Sequence, residues 1–411
     1  MKKKVSLSYF MLLICTYMFV FQNFIQYYIK SIQYWDEIIS LSIIPIYILK
    51  RNKTKIKKYD LGIIICLIIF IIIGIYSNIK YMYQEKNLVV SDVLLCMKFF
   101  MMYYLSNLVF KVEDIPEKYS KHLKIITCIL VIMTVLNYIF KIWPYGYRYG
   151  IMINKLFYTH PTYLAAICVF LLASLIMFDR KKSRLYFILN ILLIISTLRM
   201  KAIGFVFACI SIYLFIVIYK RKLSMIKLVI VGIVAILISF NQIKLYFVEL
   251  NDSARSVLMN TSIKIANDYF PFGTGFATFG SHFSTVKYSP IYIKYKISNT
   301  YGLSKKYNSF VSDTFWPMII GQFGYLGLIL YLICLILIFI KIQKSYDVNR
   351  KEVYIAKLIC FVYLIVSSTS ESAFVNSIAI PLATIIGLNY NKIERTINDE
   401  NKERKMIDGK S

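Results

Sequence analysis

The sequence predicts an all-α integral membrane protein, built as a polytopic bundle of about twelve transmembrane helices with one long outer loop that contains a short amphipathic helix. Of its 411 residues, 58% are hydrophobic and the mean hydropathy is +0.62, whereas soluble domains are roughly 45–50% apolar. Apolar runs recur at the length of about 20 residues that a helix needs to cross a bilayer. Lys and Arg also concentrate in alternate connecting segments, as expected of cytoplasmic loops.

The first apolar run, residues 5–29, is predicted to be a retained span. It follows MKKK without a small-residue cleavage site, and it is longer than the apolar core of a signal peptide. Eleven further runs follow along the chain. The twelve predicted spans cover residues 6–28, 35–49, 59–76, 89–110, 123–141, 159–178, 185–198, 202–219, 226–242, 313–340, 355–370 and 373–390.

An even number of spans places both termini on one side of the membrane. With that side taken as the cytoplasm, inner segments hold 32 Lys or Arg and outer segments hold 16, half of them in the loop 243–312. Long loops count little toward orientation, so both termini are predicted to be cytoplasmic. The predicted organisation is a transmembrane domain over residues 1–390, which includes the extracytoplasmic loop 243–312, and a polar cytoplasmic tail over residues 391–411.

Several function classes are disfavoured by composition and motifs. The net charge of +28 forms no Arg and Lys stripe interleaved with aromatics on a soluble module, so nucleic acid is not an expected partner. All eight cysteines fall inside predicted spans without a C-x-x-C or Cys/His cluster, which argues against disulfides and a metal site. The glycine stretch FPFGTGFATFGSHF has Thr278 where a dinucleotide fingerprint needs glycine, and Ser281 where a P-loop needs lysine.

The long loop is predicted to contain a helix that begins after Ser253, because this serine fits an N-cap and one weakly apolar face follows it. That face comprises Ala254, Leu258, Thr261, Ile265 and Tyr269. Arg255 lies in the first turn, where a cation gains nothing from the helix dipole. This placement favours a role toward a ligand, and the alternative is an arginine that snorkels to lipid headgroups.

The glycine stretch after this helix has two interpretations. Closely spaced Gly273 and Gly275 let the backbone turn sharply, and successive N–H groups in such a turn can form an anion nest. The alternative is a tight turn that packs its aromatic side chains onto the bundle. Both interpretations stay open from the residues alone.

Charged residues at the predicted outer ends of spans complete the candidate site. Arg199 and Lys201 lie at a tight turn in ISTLRMKAIG, and arginine offers permanently charged donors that suit phosphate. Asp313 lies at the membrane edge, where a carboxylate is expensive unless it is paired or functional, so it is either a helix cap or a catalytic group. Further outer candidates are Glu371, His282, and His160, which precedes a proline.

Four segments, in this order, resemble the O-antigen polymerase and ligase superfamily, most closely the Wzy-type repeat-unit polymerases of capsular or exopolysaccharide assembly. The resemblance covers roughly residues 140–330. It rests on YRYGIMINKLFYTHPTYLA, on ISTLRMKAIGF with Arg199 at the motif's arginine, on the arginine-led loop helix followed by P-x-G-x-G-x-x-x-F, and on VSDTFWPMIIGQFGYLG. In the ligases the last segment begins with histidine and carries an acid nine residues later. This chain has Asp313 and Gln322 there, which favours a polymerase.

The resemblance implies a glycosyltransferase of the bacterial cytoplasmic membrane that joins lipid-linked oligosaccharide repeat units on the outer face. The donor is a glycan on undecaprenyl pyrophosphate, the acceptor is a lipid-linked repeat unit, and lipid pyrophosphate leaves, with no cofactor and no metal. Such a reaction needs a base for the attacking hydroxyl and cations for the leaving pyrophosphate. The catalytic candidates are Asp313 as base, Arg199 and Arg255, and the substrate-binding candidates are Arg199, Lys201, Arg255, Arg148, Gly273, Gly275, His160, His282 and Glu371.

The implied partners are membrane lipid and other polysaccharide-assembly proteins, such as a flippase and a chain-length regulator. Two other functions compete with the polymerase. One is a ligase-like transferase that moves glycan to another acceptor. The other is a flippase or transporter of lipid-linked oligosaccharide, which twelve spans suit equally well. A transporter is expected to bury charged sites near the middle of the membrane, whereas Lys98 is the one cation deep within a predicted span.

Overall fold

A bundle of apolar helices with one short β-hairpin is the architecture of the computed structural model. The described residues are 7–50, 57–179, 181, 183–223 and 253–390. The ninth predicted span (226–242), the first part of the predicted loop (243–252) and the predicted tail (391–411) therefore lie outside the described residues.

Helices dominate the described chain because long stretches of Ile, Leu and Phe satisfy every backbone group only as helices or closed barrels in lipid. The helices are α1 (Leu7–Tyr28), α2 (Trp35–Leu41), α3 (Ile43–Lys50), α4 (Lys58–Tyr81), α5 (Lys86–Val109), α6 (Lys118–Phe140), α7 (Pro161–Phe178), α8 (Arg184–Ser196), α9 (Met200–Tyr219), α10 (Ala254–Asp268), α11 (Phe283–Val286), α12 (Pro290–Lys294), α13 (Trp316–Lys344), α14 (Lys351–Ser368) and α15 (Ala379–Gly387). Strands β1 (Gly146–Arg148) and β2 (Ile151–Ile153) form an antiparallel hairpin between α6 and α7.

Seven of the described helices, α1, α4, α5, α6, α7, α9 and α13, are long and apolar enough to cross a membrane. The predicted class, an all-α membrane protein, is confirmed to that extent, and the count of twelve spans stays a prediction. Most of residues 355–370 lie in the 18-residue helix α14, which is not among these seven, and the other predicted spans on described residues are shorter or broken helices. Residues 185–198 form the 13-residue helix α8, and residues 373–390 contribute only the nine-residue helix α15.

The second predicted span, residues 35–49, is divided into α2 and α3, which meet at Ser42. Pro45 lies in the first turn of α3, where its missing N–H removes no intrahelical hydrogen bond. A proline at this place in a continuous span would break the ladder, so the division into two short helices satisfies the backbone.

Helix α7 occupies the centre of the bundle and contacts α6, α8, α14 and α15. Its span is 94% buried, against 33% for α4 and α6. A helix that is apolar all round is stable only where protein or lipid surrounds every face. The central helix carries His160 as its N-cap residue, so the middle of the bundle positions one of the predicted site residues.

Residues 253–315, which we call the cap, fold around a small hydrophobic core of their own. The buried core includes Leu258, Ile265, Tyr269, Phe279, Ile291, Tyr292, Ile297, Leu303 and Val311. The predicted loop helix is confirmed as α10: the Ser253 hydroxyl accepts the N–H of Ser256, and Leu258, Thr261, Ile265 and Tyr269 of the predicted apolar face are buried. Helix α10 packs along α13, which holds the cap on the bundle.

Candidate functional site

The cap and several helix connections meet at one end of the bundle, which we call the loop end. Gln84, in the α4–α5 connection, donates to the carbonyl of Lys287 in the cap, at 2.7 Å. The N–H of Asn154 donates to the carbonyl of Ser196 at 3.1 Å, which joins the α6–α7 and α8–α9 connections. Ser372, after α14, donates to the carbonyl of Ser312 at 2.6 Å. These contacts bring segments far apart in sequence to one surface.

Arg199 and His160 are in direct contact at the loop end. Arg199 is the N-cap residue of α9, and its Nη2 lies 2.5 Å from Nε2 of His160. A guanidinium only donates, so Nε2 of the imidazole accepts and Nδ1 carries the hydrogen. Nδ1 lies 2.8 Å from the hydroxyl of Thr162. The side chain of His160 is thereby oriented between α7 and the α8–α9 turn.

His160 is neutral at physiological pH. Partial removal from water, and then the neighbouring Arg199 guanidinium, lower the pKa of His160 from its usual value to about 4. The carboxylate of Glu371 acts in the opposite direction. A neutral imidazole accepts a hydrogen bond from Arg199 and adds no charge to this surface.

Lys201 and Glu371 form an ion pair next to this contact. The Nζ atom of Lys201, on the first turn of α9, lies 2.7 Å from Oε1 of Glu371, in the α14–α15 connection. The Lys201 ammonium also lies within electrostatic range of the Arg199 and Arg255 guanidinium groups. Three cations therefore lie in the same region, and Glu371 pairs with one of them.

The cap contributes Arg255 and Asp313. Arg255, in the first turn of α10, donates from Nε and Nη2 to Oδ2 of Asp313, at 3.1 and 2.8 Å. Asp313 precedes α13, and the hydroxyl of Ser372 holds the neighbouring carbonyl of Ser312. Because Ser372 follows Glu371 directly, this hydrogen bond places the Arg255–Asp313 pair next to the Lys201–Glu371 pair.

Arg148 reaches the same turn from the β-hairpin. It lies at the end of β1, paired with Ile151 of β2. Its Nη1 donates to the carbonyl of Leu198 at 3.1 Å, one residue before Arg199. The hairpin therefore ties the α6–α7 connection to the turn that carries the predicted arginine.

Together these contacts assemble seven of the ten sequence-predicted site residues into what we call the cation cluster: Arg148, His160, Arg199, Lys201, Arg255, Asp313 and Glu371. Four side chains carry a permanent or ordinary positive charge, two are carboxylates, and the histidine is neutral. The cluster thus has a formal excess of two positive charges. Partly exposed arginines in a cluster with excess positive charge suit a phosphate-bearing anion.

The two predicted glycines serve packing, which corrects their assignment to anion binding. The N–H of Gly273 donates to the carbonyl of Tyr269 at 3.0 Å, and that of Gly275 donates to the carbonyl of Gln322 at 2.8 Å. The turn inserts where α13 is broken at Gly324, whose φ is 64°. Since internal carbonyls already accept both N–H groups, this turn is not an anion nest. The packing interpretation of the glycine stretch is the one that the contacts support.

His282 stands outside the cation cluster. Its exposed ring packs on Phe283 at the start of α11, and α11 contacts α5. Within the described part of the chain, His282 makes no contact with the seven clustered residues. Its predicted role in substrate binding has no geometric support in this arrangement.

Sequence reasoning missed an ion triad in the bundle, in which Lys98 and Asp36 are buried. The Nζ atom of Lys98 lies 2.7 Å from Oδ2 of Asp36 and 2.7 Å from Oε1 of Glu37. Lys98 was recognised as a cation within a span, but its partners on α2 were not. Two adjacent acids at the start of an apolar run were the available signal, since carboxylates are costly in lipid unless they are paired.

A second missed residue, Asp92, fixes the glycine turn. Asp92 is fully buried on α5, and its Oδ2 accepts the N–H of Ala277 at 2.6 Å. Asn78 of α4 grips the preceding residue, because its side-chain amide bonds both the carbonyl and the N–H of Phe276 at 2.9 and 2.8 Å. These two side chains anchor the cap in the bundle.

Comparison with known proteins gives no family assignment. No protein-family model matches the chain. No curated protein matches it in sequence.

Proposed function

We propose that this protein is a membrane glycosyltransferase that polymerises lipid-linked oligosaccharide repeat units and releases lipid pyrophosphate. The observation that carries the proposal is the cation cluster, in which side chains from the hairpin, α7, α9, the cap and the α14–α15 connection converge on one surface. The predicted topology places this surface on the outer face of the membrane. The resemblance to the polymerase and ligase superfamily supplies the reaction class.

The cations of the cluster stabilise the leaving pyrophosphate. As the bond between the anomeric carbon and the phosphate oxygen breaks, its electron pair stays on pyrophosphate. Arg199, Lys201 and Arg255 are arranged to stabilise that growing negative charge, because fixed donors act without reorganisation during the reaction. Glu371 and Asp313 hold Lys201 and Arg255 in place through their ion pairs.

The base is assigned to Asp313. Its Oδ2 is occupied by Arg255, and among the described residues no donor is bonded to Oδ1. The acceptor hydroxyl transfers its proton to this oxygen as the hydroxyl oxygen attacks the anomeric carbon. Asp313 is preferred to Glu371 because its side chain is more exposed, 36% against 12%, so a large glycan acceptor can reach it.

The test uses purified protein reconstituted with a lipid-linked repeat unit. The wild-type protein is expected to produce a ladder of longer lipid-linked glycans. Arg199→Ala should lower the rate by about 10²–10³, the usual cost of removing one transition-state donor. Arg199→Lys should also be strongly impaired, because an ammonium lacks the planar fork of donors.

The matched control is Lys287→Gln, which removes another cation at the loop end. Lys287 pairs with Glu85 on the surface, with both side chains more than half exposed, and lies outside the cation cluster. The control should polymerise normally. Unchanged glycan length in Arg199→Ala would sink the assignment of Arg199. Transfer to a second acceptor without a ladder would instead identify a ligase-like enzyme.

A transporter of lipid-linked oligosaccharide is the second candidate, and the Lys98–Asp36–Glu37 triad favours it. Buried charges inside a membrane bundle often mark a transport pathway. Proteoliposomes that move the lipid-linked repeat unit across the bilayer without extending it would establish this function in place of polymerisation.

A further inference from the structure

Two exposed tyrosines of the cap and one partly buried phenylalanine form a group of rings close to Asp313. The rings of Tyr301 and Tyr307 lie 4.9 Å apart, and the ring of Phe310 lies 5.9 and 6.0 Å from them. Tyr301 is 73% exposed and Tyr307 is 41% exposed. We call these three residues, with Lys305 and Lys306, the aromatic patch.

The backbone holds this patch in a defined shape beside the cation cluster. The N–H of Phe310 donates to the carbonyl of Gly302 at 3.0 Å, and the Ser304 hydroxyl accepts the N–H of Tyr307 at 3.1 Å. The N–H of Asp313 donates to the carbonyl of Phe310 at 3.2 Å. The aromatic patch is therefore next to Asp313, and a ligand bound at the Asp313 carboxylate lies close to it.

Packing of the cap does not account for the exposure of Tyr301 and Tyr307, because its core is formed by other residues, such as Leu303 and Val311 from the same turn, with Phe310 packed against this core. Exposed aromatic rings that cluster on a protein surface are typical of binding sites. The flat faces of sugar rings present C–H groups, and the electron-rich faces of aromatic rings attract them. Tyrosine also offers a hydroxyl that can bond the hydroxyl groups of a sugar.

The cap is strongly basic. It contains seven Lys or Arg and two Asp, a formal net charge of +5. Both acids are engaged: Asp313 by Arg255, and Asp268 by the hydroxyl of Tyr295 at 2.5 Å. The loop end is predicted to face outward. The tendency of Lys and Arg to keep loops in the cytoplasm therefore does not explain these cations. Lys305 and Lys306 lie between Tyr301 and Tyr307 in the sequence, and both are exposed.

We infer that the aromatic patch binds an acidic glycan, so that the substrate of the proposed polymerase carries carboxylate or phosphate groups on its sugars. Tyr301, Tyr307 and Phe310 stack on sugar rings while Lys305 and Lys306 pair with the acidic groups. The identification of this glycan as a substrate rests on the proposed function. Its binding test is independent of polymerisation.

The experiment measures binding of soluble oligosaccharides by titration calorimetry to the full chain in nanodiscs of phosphatidylcholine. Tetragalacturonate, which is acidic, should bind at least about tenfold more tightly than neutral maltotetraose, and added salt should weaken it. Tyr301→Ala/Tyr307→Ala should lower the affinity for tetragalacturonate about tenfold. Lys305→Gln/Lys306→Gln should lower it about fivefold and reduce the salt dependence.

Two controls separate this inference from its alternatives. Lys264→Gln removes an exposed lysine of α10 and should leave the affinity unchanged. Arg199→Ala should retain tetragalacturonate binding while it loses polymerisation, so failure of the proposed function is read from a different assay. Equal affinity for the two tetramers, or wild-type affinity in both double variants, overturns the inference. So does quenching of a Tyr301→Trp variant by headgroup-labelled lipid, which would assign the patch to the membrane surface.

Discussion

Two groups of charges in this protein have opposite character. Within the bundle, Lys98 is 5% exposed and pairs with two carboxylates, Asp36, which is 4% exposed, and Glu37, which is 39% exposed. At the loop end, four cations face two carboxylates, and Arg255 and Asp313 are 23% and 36% exposed. In the triad one cation is paired with two carboxylates, whereas the cation cluster has a formal excess of two positive charges. This difference predicts that the triad stabilises the bundle and that the cation cluster attracts an anion.

The largest expected effect comes from breaking the interior triad. Lys98→Met leaves Asp36 and Glu37 without their cation, and an unpaired buried charge costs about 3–5 kcal/mol. We expect low yield and a large fall in the thermal unfolding temperature in detergent. The triple variant Lys98→Met/Asp36→Asn/Glu37→Gln removes all three charges and should recover most of the loss.

A triad with a transport role gives a different result. In that case the triple variant would be well folded and unable to move substrate. Normal stability of Lys98→Met alone would contradict the assignment of the triad to bundle stability.

The joint between cap and bundle gives the next effect, because it carries Arg255 into the cation cluster. A Cβ added at Gly273, whose φ is 71°, would lie 2.6 Å from the backbone of Gln322. At Gly150, where φ is 74°, an added Cβ would meet nothing within 4 Å. Gly150→Ala therefore tests only the left-handed conformation, at about 1–2 kcal/mol, while Gly273→Ala adds the clash with backbone, about 1–3 kcal/mol.

Thermal unfolding of the two alanine variants in the same detergent measures this difference. Gly273→Ala should unfold at a clearly lower temperature than Gly150→Ala and should also lose polymerisation, because the cap shifts. Equal unfolding temperatures would show that the turn tolerates displacement and that the cap is not held by this insertion.

The two lysines allow a direct comparison of the two groups of charges by the same substitution. Lys201 is 18% exposed and pairs with one carboxylate, so Lys201→Met should cost far less stability than Lys98→Met. It should instead lower the polymerisation rate by about 10–100-fold, because one cation near the leaving pyrophosphate is lost. Rates and unfolding temperatures of both variants decide the comparison. If the Lys201→Met protein is unfolded, or is fully active, the two groups of charges do not differ in role as we expect.

Sequence patterns predicted the local structure around the candidate site where local signals exist. Ser253 and the helical spacing of apolar residues after it predicted α10. The polar residues around Arg199 predicted the turn that precedes α9. Such local signals do not identify which charged residues form ion pairs, because the partners are distant in sequence. Lys98 and Asp36, for example, are 62 positions apart. Arg255 and Asp313 are 58 positions apart. Only packing of the bundle joins such residues.

The same limit applies to the shape of the bundle. The glycine turn was predicted, but its insertion at Gly324 depends on a hydrogen bond between Thr274 and Gly321, from distant segments. Hydrophobic run length likewise predicted α4 and α5 closely, yet it merged α2 with α3, because an apolar run does not reveal a break at Ser42.

The smallest effect concerns His160, the neutral member of the cation cluster. Its pKa is about 4 in the folded protein and about 6.5 in an unfolded chain. As the pH falls below 6.5, the unfolded chain takes up a proton that the folded protein does not, so the stability contributed by His160 is lost progressively down to pH 4. His160→Asn places a residue that favours N-cap positions at the start of α7 and removes this titration. The unfolding temperature of the variant should equal that of wild type at pH 8 and exceed it increasingly from pH 6.5 to pH 4.5. A difference that is the same at pH 8 and pH 4.5 would show that His160 is not held neutral by Arg199 and its partly buried position.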